Sequence, residues 1–276
     1  MRENEIKIKP FCPNLGAIIT GIDLSKSILP HEFSIIKKAF LDYHVLFFKK
    51  QKEISPEKQI EFGKLFGKLH THPAAPTMTG YPEIFEIHAH KDSKIANGEF
   101  WHSDVSCDET PPLGTMLQIH ILPESGGDTM FCNMYQAYES LSDTYKEFLD
   151  KLFAVHESEH LYKGRYAERG VDDGEISFPA SVHPIVRTHP ETKRKALFIN
   201  RTFTKRIEGL ALSESEHTLN FLFNHCEQLD FQIRYKWNMH DMVFWDNRCT
   251  MHRAIWDYWP MERKGRRVTI KGEKPS

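Results

Sequence analysis

Thr115-Met116-Leu117-Gln118-Ile119-His120-Ile121 is a short stretch rich in β-branched and apolar residues and free of Gly and Pro, the pattern of a β-strand. Similar stretches recur at 84–87, 129–131, 196–199, 231–237, 242–244 and 267–270, separated by clusters of Gly, Pro, Asn and Asp. Strands at this spacing argue for a sandwich, a barrel or a jelly roll. Helical periodicity is confined to a few places. Phe33, Ile36, Phe40 and Leu41 share one helical face, followed by a buried strand at Val45-Leu46-Phe47-Phe48. Ser55-Pro56-Glu57 reads as a helix cap with proline in the first turn, and the apolar series Ile60, Phe62, Leu65, Phe66 continues that helix to Gly67. Further helices are expected over 142–153 and 213–228.

Composition narrows the possibilities. A hydrophobic content of 40% and an aromatic content of 12% supply a real core, which excludes global disorder. A net charge of −2 gives no general attraction to nucleic acid or to an anionic membrane. No apolar run reaches the length of a membrane span, and the charged start Met1-Arg2-Glu3-Asn4-Glu5 lacks the apolar stretch of a signal peptide. A cytoplasmic chain is the expectation. The cysteines Cys12, Cys107, Cys132, Cys226 and Cys249 are odd in number and form no CxxC pair, against both a disulfide framework and a structural zinc site.

The chemistry lies upstream of the opening strand, in His102-Ser103-Asp104, and far downstream, in His252. Side chains at i and i+2 share one face of a strand, so His102 and Asp104 can grip one ion while His252 arrives from a neighbouring strand. Two imidazoles and one carboxylate are the donor set that holds non-haem Fe(II) on one face and leaves positions open. A lone HxD is weak evidence among sixteen histidines. Arg263 and Arg267 follow His252, and a guanidinium there suits a carboxylate ligand through a paired, charge-assisted hydrogen bond.

Several ordered stretches resemble the taurine dioxygenase family of Fe(II)/2-oxoglutarate-dependent dioxygenases. They are Leu15-Gly16-Ala17, Gly21-Ile22-Asp23-Leu24, Phe66 through Pro73, Trp101-His102-Ser103-Asp104-Val105, Gly126-Gly127-Asp128-Thr129, Phe244-Trp245-Asp246-Asn247-Arg248, and His252 through Arg267. The resemblance implies a mainly β fold with flanking helices, a double-stranded β-helix (a cupin-like jelly roll). It implies a single domain over 1–276, with an insertion between about 135 and 190, and a possible homo-oligomer. His102, Asp104 and His252 would ligate Fe(II). Thr129 and Arg263 would hold the distal carboxylate of the co-substrate 2-oxoglutarate. His72 and Arg267 would take the anionic head of a small organic substrate, with Val105 and Phe203 as apolar walls. O2 would be consumed, and succinate and CO2 formed beside the hydroxylated product.

Other readings compete with each of these. Arg263 and Arg267 can be solvated strand residues, and Thr71-His72-Pro73 an ordinary turn. Gly126-Gly127 reads as a turn rather than a phosphate cradle. His156 and His160 stand at the spacing of a helical zinc pair, but no third ligand accompanies them. Alternatives for the whole chain are a metal-dependent hydrolase on the same scaffold, which would ignore O2, and a non-catalytic jelly-roll binding protein. The chain also departs from the taurine-using pattern. Ala75 replaces an aromatic hydroxyl, Gly98 (with Asn97 beside it) an asparagine, and Ser158 an aromatic ring, so a larger, less polar pocket and a bulkier anion than taurine are expected.

Overall fold

The computed structural model describes residues 5–276 apart from 73, 74, 76, 96, 168, 169, 171 and 175–177. Pro73 and the charged residues Met1 to Asn4 therefore lie outside the described residues. Two antiparallel-rich sheets face each other, the sandwich of a jelly roll. The larger runs in the order Lys7–Cys12, Leu15–Thr20, Val45–Phe48, Met242–Asp246, Gly114–Ile121, Arg263–Ile270, Tyr81–Ala89 and Thr77–Met78, with Leu69–His70 also paired to Arg263–Ile270. The smaller is Gln232–Tyr235, Thr129–Asn133 and Thr250–Ala254.

Strand alternation decides which side chains meet. Val45, Phe47, Leu117, Val243 and Trp245 point inward and pack against Phe131, Ile233 and Tyr235 of the smaller sheet. Their neighbours Leu46, Phe48, Met116, Met242 and Phe244 point the other way, onto the helices Pro30–Tyr43 and Pro56–Lys64. A strand covered on both faces reads as a continuous apolar run, which is why Val45-Leu46-Phe47-Phe48 carries no polar residue. Ring pairs tie the layers together: Phe47 stacks on Tyr235 at 4.1 Å and Phe40 on Phe244 at 4.0 Å, each adding about 1 kcal/mol beyond area burial.

The helices obey their termini. Ser55 Oγ accepts the Lys58 N–H and Pro56 occupies the first turn, as its sequence suggests, although the helix stops at Lys64 rather than Gly67. The outer face of the smaller sheet carries Cys132 and Met251, covered by the segment between Thr129–Asn133 and Gln232–Tyr235. That segment holds the helices Met134–Glu139, Asp143–Leu149 and Leu212–Cys226 and the small sheet Ala180–Pro184, Phe153–Glu157, Thr204–Ile207.

Two expectations are corrected here. The helix expected over 142–153 ends at Leu149, and Phe153 opens a strand because pairing with both Ala180–Pro184 and Thr204–Ile207 outweighs local helical preference. His156 and His160 do not share a helix. His156 is buried on that strand with Nδ1 3.0 Å from Ser106 Oγ, and His160 sits in the short turn of helix Glu159–Tyr162 with Nε2 against the Thr202 carbonyl. No described helix is long and apolar enough to cross a membrane.

Candidate active site

His102 and His252 meet through an isolated β-bridge. The His102 N–H donates to the His252 carbonyl at 3.0 Å, and the His252 N–H returns the bond at 2.9 Å. Their rings face each other with centroids 4.2 Å apart. Asp104 follows in a turn, not on the regular strand that its spacing suggests. Val105 there has φ of 45°, a region that a β-branched residue enters only when its surroundings impose it. Asn247 imposes it: Oδ1 accepts the Asp104 N–H at 2.6 Å, and Nδ2 donates to the carbonyls of Asp104 at 3.0 Å and Pro112 at 3.1 Å.

Asp104 Oδ1 consequently lies 3.7 Å from His102 Nε2 and 3.9 Å from His252 Nε2. Those gaps are too long for hydrogen bonds and exceed by less than about 1 Å the roughly 3 Å between neighbouring ligand atoms held at about 2.1 Å from one ion. The three ligand atoms all fall within 4.8 Å of one another. His102 Nδ1 is 2.7 Å from the Phe100 carbonyl and so carries the ring proton, which leaves the Nε2 lone pair facing Asp104. The donor set and its geometry fit Fe(II).

The electrostatics keep the ligands in the forms a metal needs. Burial opposes a charge on Asp104, but the Arg267 guanidinium overcomes it and holds the carboxyl well below its usual range. Arg267 Nη1 donates to Oδ1 at 2.8 Å, and Thr115 Oγ1 donates to Oδ2 at 2.7 Å. Burial, reinforced by His102, pushes His252 well below the usual imidazole range, so its ring is neutral.

Two cavities meet at this cluster, sharing Phe85, Asn97, Gly98, His102 and Arg267. The outer one is an open cleft with about 640 Å³ of empty space, walled by Phe85, Val105, Tyr162, Tyr166 and Phe203. His72 also lines it. Its Nδ1 accepts the Ala75 N–H at 2.9 Å, and burial followed by Arg267 keeps the ring neutral, so the proton sits on Nε2. The sequence stretch Thr71-His72-Pro73 thus supplies a cleft residue. Gly98, with φ of 81°, a conformation that favours glycine, lies close enough to His102 that a Cβ would stand 3.1 Å from the ring, so a side chain there would press on that ligand.

The inner cavity is lined by Thr129, Arg263, Leu117, Trp245 and His252 among others. Arg263 and Arg267 are four residues apart on Arg263–Ile270, hence on one strand face, and both reach the interior. Arg263 is fully enclosed, and burial lowers its pKa from the usual guanidinium value. Its Nε donates to the Gly127 carbonyl at 3.1 Å, while its Nη2 is buried without a hydrogen-bond partner among the described residues. The Gly126-Gly127 turn, with φ of 80° and 73°, is thus the seat of Arg263. A buried unpaired guanidinium nitrogen is costly, and a carboxylate is the group that offsets it.

All nine residues singled out in the sequence converge on the two cavities. The sequence reading missed Thr115, Asn247 and the carbonyls of Phe100 and Gly127, which carry no motif of their own apart from Asn247. It also expected Ser158 to widen the cleft. Instead Ser158 is buried behind it, donating to the Pro179 carbonyl, and Tyr162 and Tyr166 occupy the wall.

Comparison with known proteins agrees with this geometry. The "Alkylsulfatase" of Acinetobacter baylyi is 34% identical over 278 residues, covering 98% of this chain and 86% of that protein. The "Alpha-ketoglutarate-dependent sulfate ester dioxygenase" of Pseudomonas putida is 33% identical over 280 residues, covering 98% and 91%. The crystal structure of a putative alpha-ketoglutarate-dependent taurine dioxygenase from Burkholderia xenovorans superposes with a TM-score of 0.85 at 30% identity, covering 98% of this chain and 94% of that one. The family described as "Taurine catabolism dioxygenase TauD, TfdA family" matches residues 7–269, and the chain belongs to that family of Fe(II)- and 2-oxoglutarate-dependent dioxygenases.

Proposed function

We propose that this enzyme hydroxylates an anionic organic substrate larger than taurine, with an alkyl sulfate ester or sulfonate as the best fit. The observation that carries this reading is the composition of the outer cleft, where the Arg267 guanidinium and the neutral His72 N–H stand beside the metal ligands and the wall mixes aromatic rings with Asn97, Glu99 and Arg165. In this reading His102, Asp104 and His252 hold the iron, and Thr129 and Arg263 hold the distal carboxylate of 2-oxoglutarate. Arg267 and His72 take the sulfate or sulfonate oxygens, and Val105, Phe203 and Phe85 hold the chain that bears them. Residues 1–276 then form one domain, with an insertion between about 135 and 190.

When bound, Fe(II) and 2-oxoglutarate supply the oxidation: O2 is consumed, the oxo acid becomes succinate and CO2, and a substrate C–H bond becomes C–OH. The protein's share is position and exclusion of water. Arg267, which donates to Asp104 Oδ1, would turn its guanidinium to the substrate anion, with Asp104 left to hold the metal. His72 donates from Nε2 without adding charge, and the aromatic wall places the carbon next to the anion toward the metal ligands. Hydroxylation of a carbon that bears a sulfate oxygen or a sulfonate sulfur gives a product that collapses to a carbonyl compound with loss of sulfate or sulfite.

A small zwitterion would leave most of the cleft unfilled, at a cost of roughly tenfold to a hundredfold in specificity against a chain that fills it. The test is a panel of alkyl sulfates, sulfonates and aryloxy carboxylates, scored by succinate formed above the uncoupled background. Taurine turnover that outran every larger anion, with sulfite matching succinate, would overturn the reading. The relatives named for sulfate esters place the alkyl sulfates first in that panel.

A further inference from the structure

We propose that Trp237 is a positioning residue for 2-oxoglutarate, orienting at once both groups assigned to its distal carboxylate. The proposal rests on the reading in which Thr129 and Arg263 form that seat. Trp237 follows the strand Gln232–Tyr235 and is buried among the aromatics between the sheets. Its Nε1–H donates to Thr129 Oγ1 at 3.0 Å, and the guanidinium carbon of Arg263 stands 5.6 Å from the centroid of its ring. It is not among the residues lining the inner cavity, so anything it does there passes through those two neighbours.

A hydroxyl has one proton and two lone pairs. An indole N–H only donates, so it takes a lone pair of Thr129 Oγ1. The hydroxyl proton cannot point back at another N–H and must turn elsewhere, and Thr129 opens on the inner cavity. A lone-pair-first threonine repels a carboxylate, and a proton-first threonine binds it. Trp237 makes that choice before the ligand arrives and spares the cost of ordering on binding.

Arg263 poses the complementary problem. Its charge is disfavoured by burial and favoured by Tyr258 and Asp128, and a carboxylate side chain hydrogen-bonded to it would occupy the N–H groups that a ligand needs. The ring face of Trp237 stabilises the cation through its quadrupole and takes no donor, so Nη2 stays unpaired. One indole thus supplies an oriented hydroxyl and an unspent guanidinium.

The experiment is an anaerobic titration of the Fe(II)-loaded protein, read by the charge-transfer absorbance that appears when the oxo acid chelates iron. Two ligands are compared: 2-oxoglutarate, and 2-oxobutyrate, which has the same oxo-acid end and no distal carboxylate. Trp237→Phe keeps a ring under Arg263 and deletes the N–H. It is expected to raise the Kd for 2-oxoglutarate about threefold to tenfold, the worth of one net hydrogen bond. The Kd for 2-oxobutyrate should stay within about twofold, and in a Thr129→Val background the same substitution should change 2-oxoglutarate binding by less than about twofold. Equal losses for both oxo acids, or full additivity with Thr129→Val, would overturn the proposal and leave Trp237 a core aromatic. If Trp237→Phe does not fold, site-specific replacement of Trp237 by its benzothienyl isostere, which exchanges the N–H for sulfur, must give the same selective loss. Failure of the underlying reading has a separate signature: Arg263→Ala would then bind 2-oxoglutarate as tightly as the unaltered protein.

Discussion

Asp104 and Asp246 are both completely buried, and each is faced by an arginine and a histidine, yet only one is equipped to bind anything. An ionised carboxylate has about four lone-pair sites. On Asp246 all four are taken: Arg248 donates from Nε at 2.8 Å, from Nη2 at 2.7 Å and from its backbone N–H at 3.0 Å, and His189 Nε2 lies at 3.1 Å. His189 must carry its proton on Nε2, because Nδ1 accepts the N–H groups of Glu191 and Thr192. Among the described residues Asp104 receives only Arg267 and Thr115; its two imidazoles stand beyond hydrogen-bonding range, and His102 turns a lone pair, not a proton, inward. His189, Asp246 and Cys249 are close enough to hold a metal, but burial keeps the Cys249 thiol protonated and no lone pair of Asp246 is spare. Residue type does not separate a site from a strut; unmet valence with access to a cavity does.

Removing either carboxylate tests that contrast most severely. Asp104→Asn is expected to abolish O2-dependent succinate formation and the thermal upshift on adding Mn(II), with the fold intact; His102→Ala and His252→Ala should behave alike. Asp246→Asn leaves Arg248 buried with its main partner gone, and should cost about 3–5 kcal/mol of stability in urea denaturation while the folded fraction still binds metal. Near-normal turnover by Asp104→Asn would end the assignment of the site.

The two arginines of one strand divide next. Arg263→Ala should raise the KM for 2-oxoglutarate by a factor corresponding to about 2–5 kcal/mol, with little change in the KM for the primary substrate. Arg267→Ala should do the reverse. A smaller effect belongs to Thr115, whose hydroxyl fixes the Asp104 oxygen that faces away from the histidines. Thr115→Val should weaken Mn(II) binding roughly tenfold to a hundredfold, read by titration, and leave stability almost unchanged.

The smallest effect is a pH slope. Burial lowers the pKa of His44 to about 4 and that of His156 to about 3. Above pH 6.5 both are neutral in the folded and unfolded chain and contribute nothing. Between pH 6.5 and about 4 the unfolded chain takes up protons that the folded one refuses, so stability falls by up to about 1.4 kcal/mol per pH unit for each. His156→Gln should reduce that slope by one proton, measured by urea denaturation at pH 5 and pH 7.

What could be read in advance follows the range of the forces involved. Ser55 and Pro56 start their helix because the cap acts on N–H groups three residues away, and Val45 to Phe48 form a strand because both its faces are apolar. The helix expected over 142–153 overran into Phe153, and the strand Phe153–Glu157 carries no local signal, because its pairing partners lie some 25 and 50 residues away, at Ala180–Pro184 and Thr204–Ile207. Ser158 was misplaced for a similar reason: alignment locates a residue in a pattern but not the side of the wall on which it packs.

The sequence by itself determined the chemistry available: two imidazoles, a carboxylate and two arginines at even spacing on one strand, in an order that names the family. Only the tertiary structure decided how those groups are presented. It put Asp104 in a turn clamped by Asn247, seated Arg263 on the Gly127 carbonyl with a donor left over, and saturated Asp246 while leaving Asp104 open. Proton placement on a ring or hydroxyl and the occupancy of a lone pair depend on which distant backbone groups arrive within about 3 Å. The clamp of Asn247 on Asp104 and the seat of Arg263 on Gly127 join residues more than a hundred positions apart, and no local pattern records them.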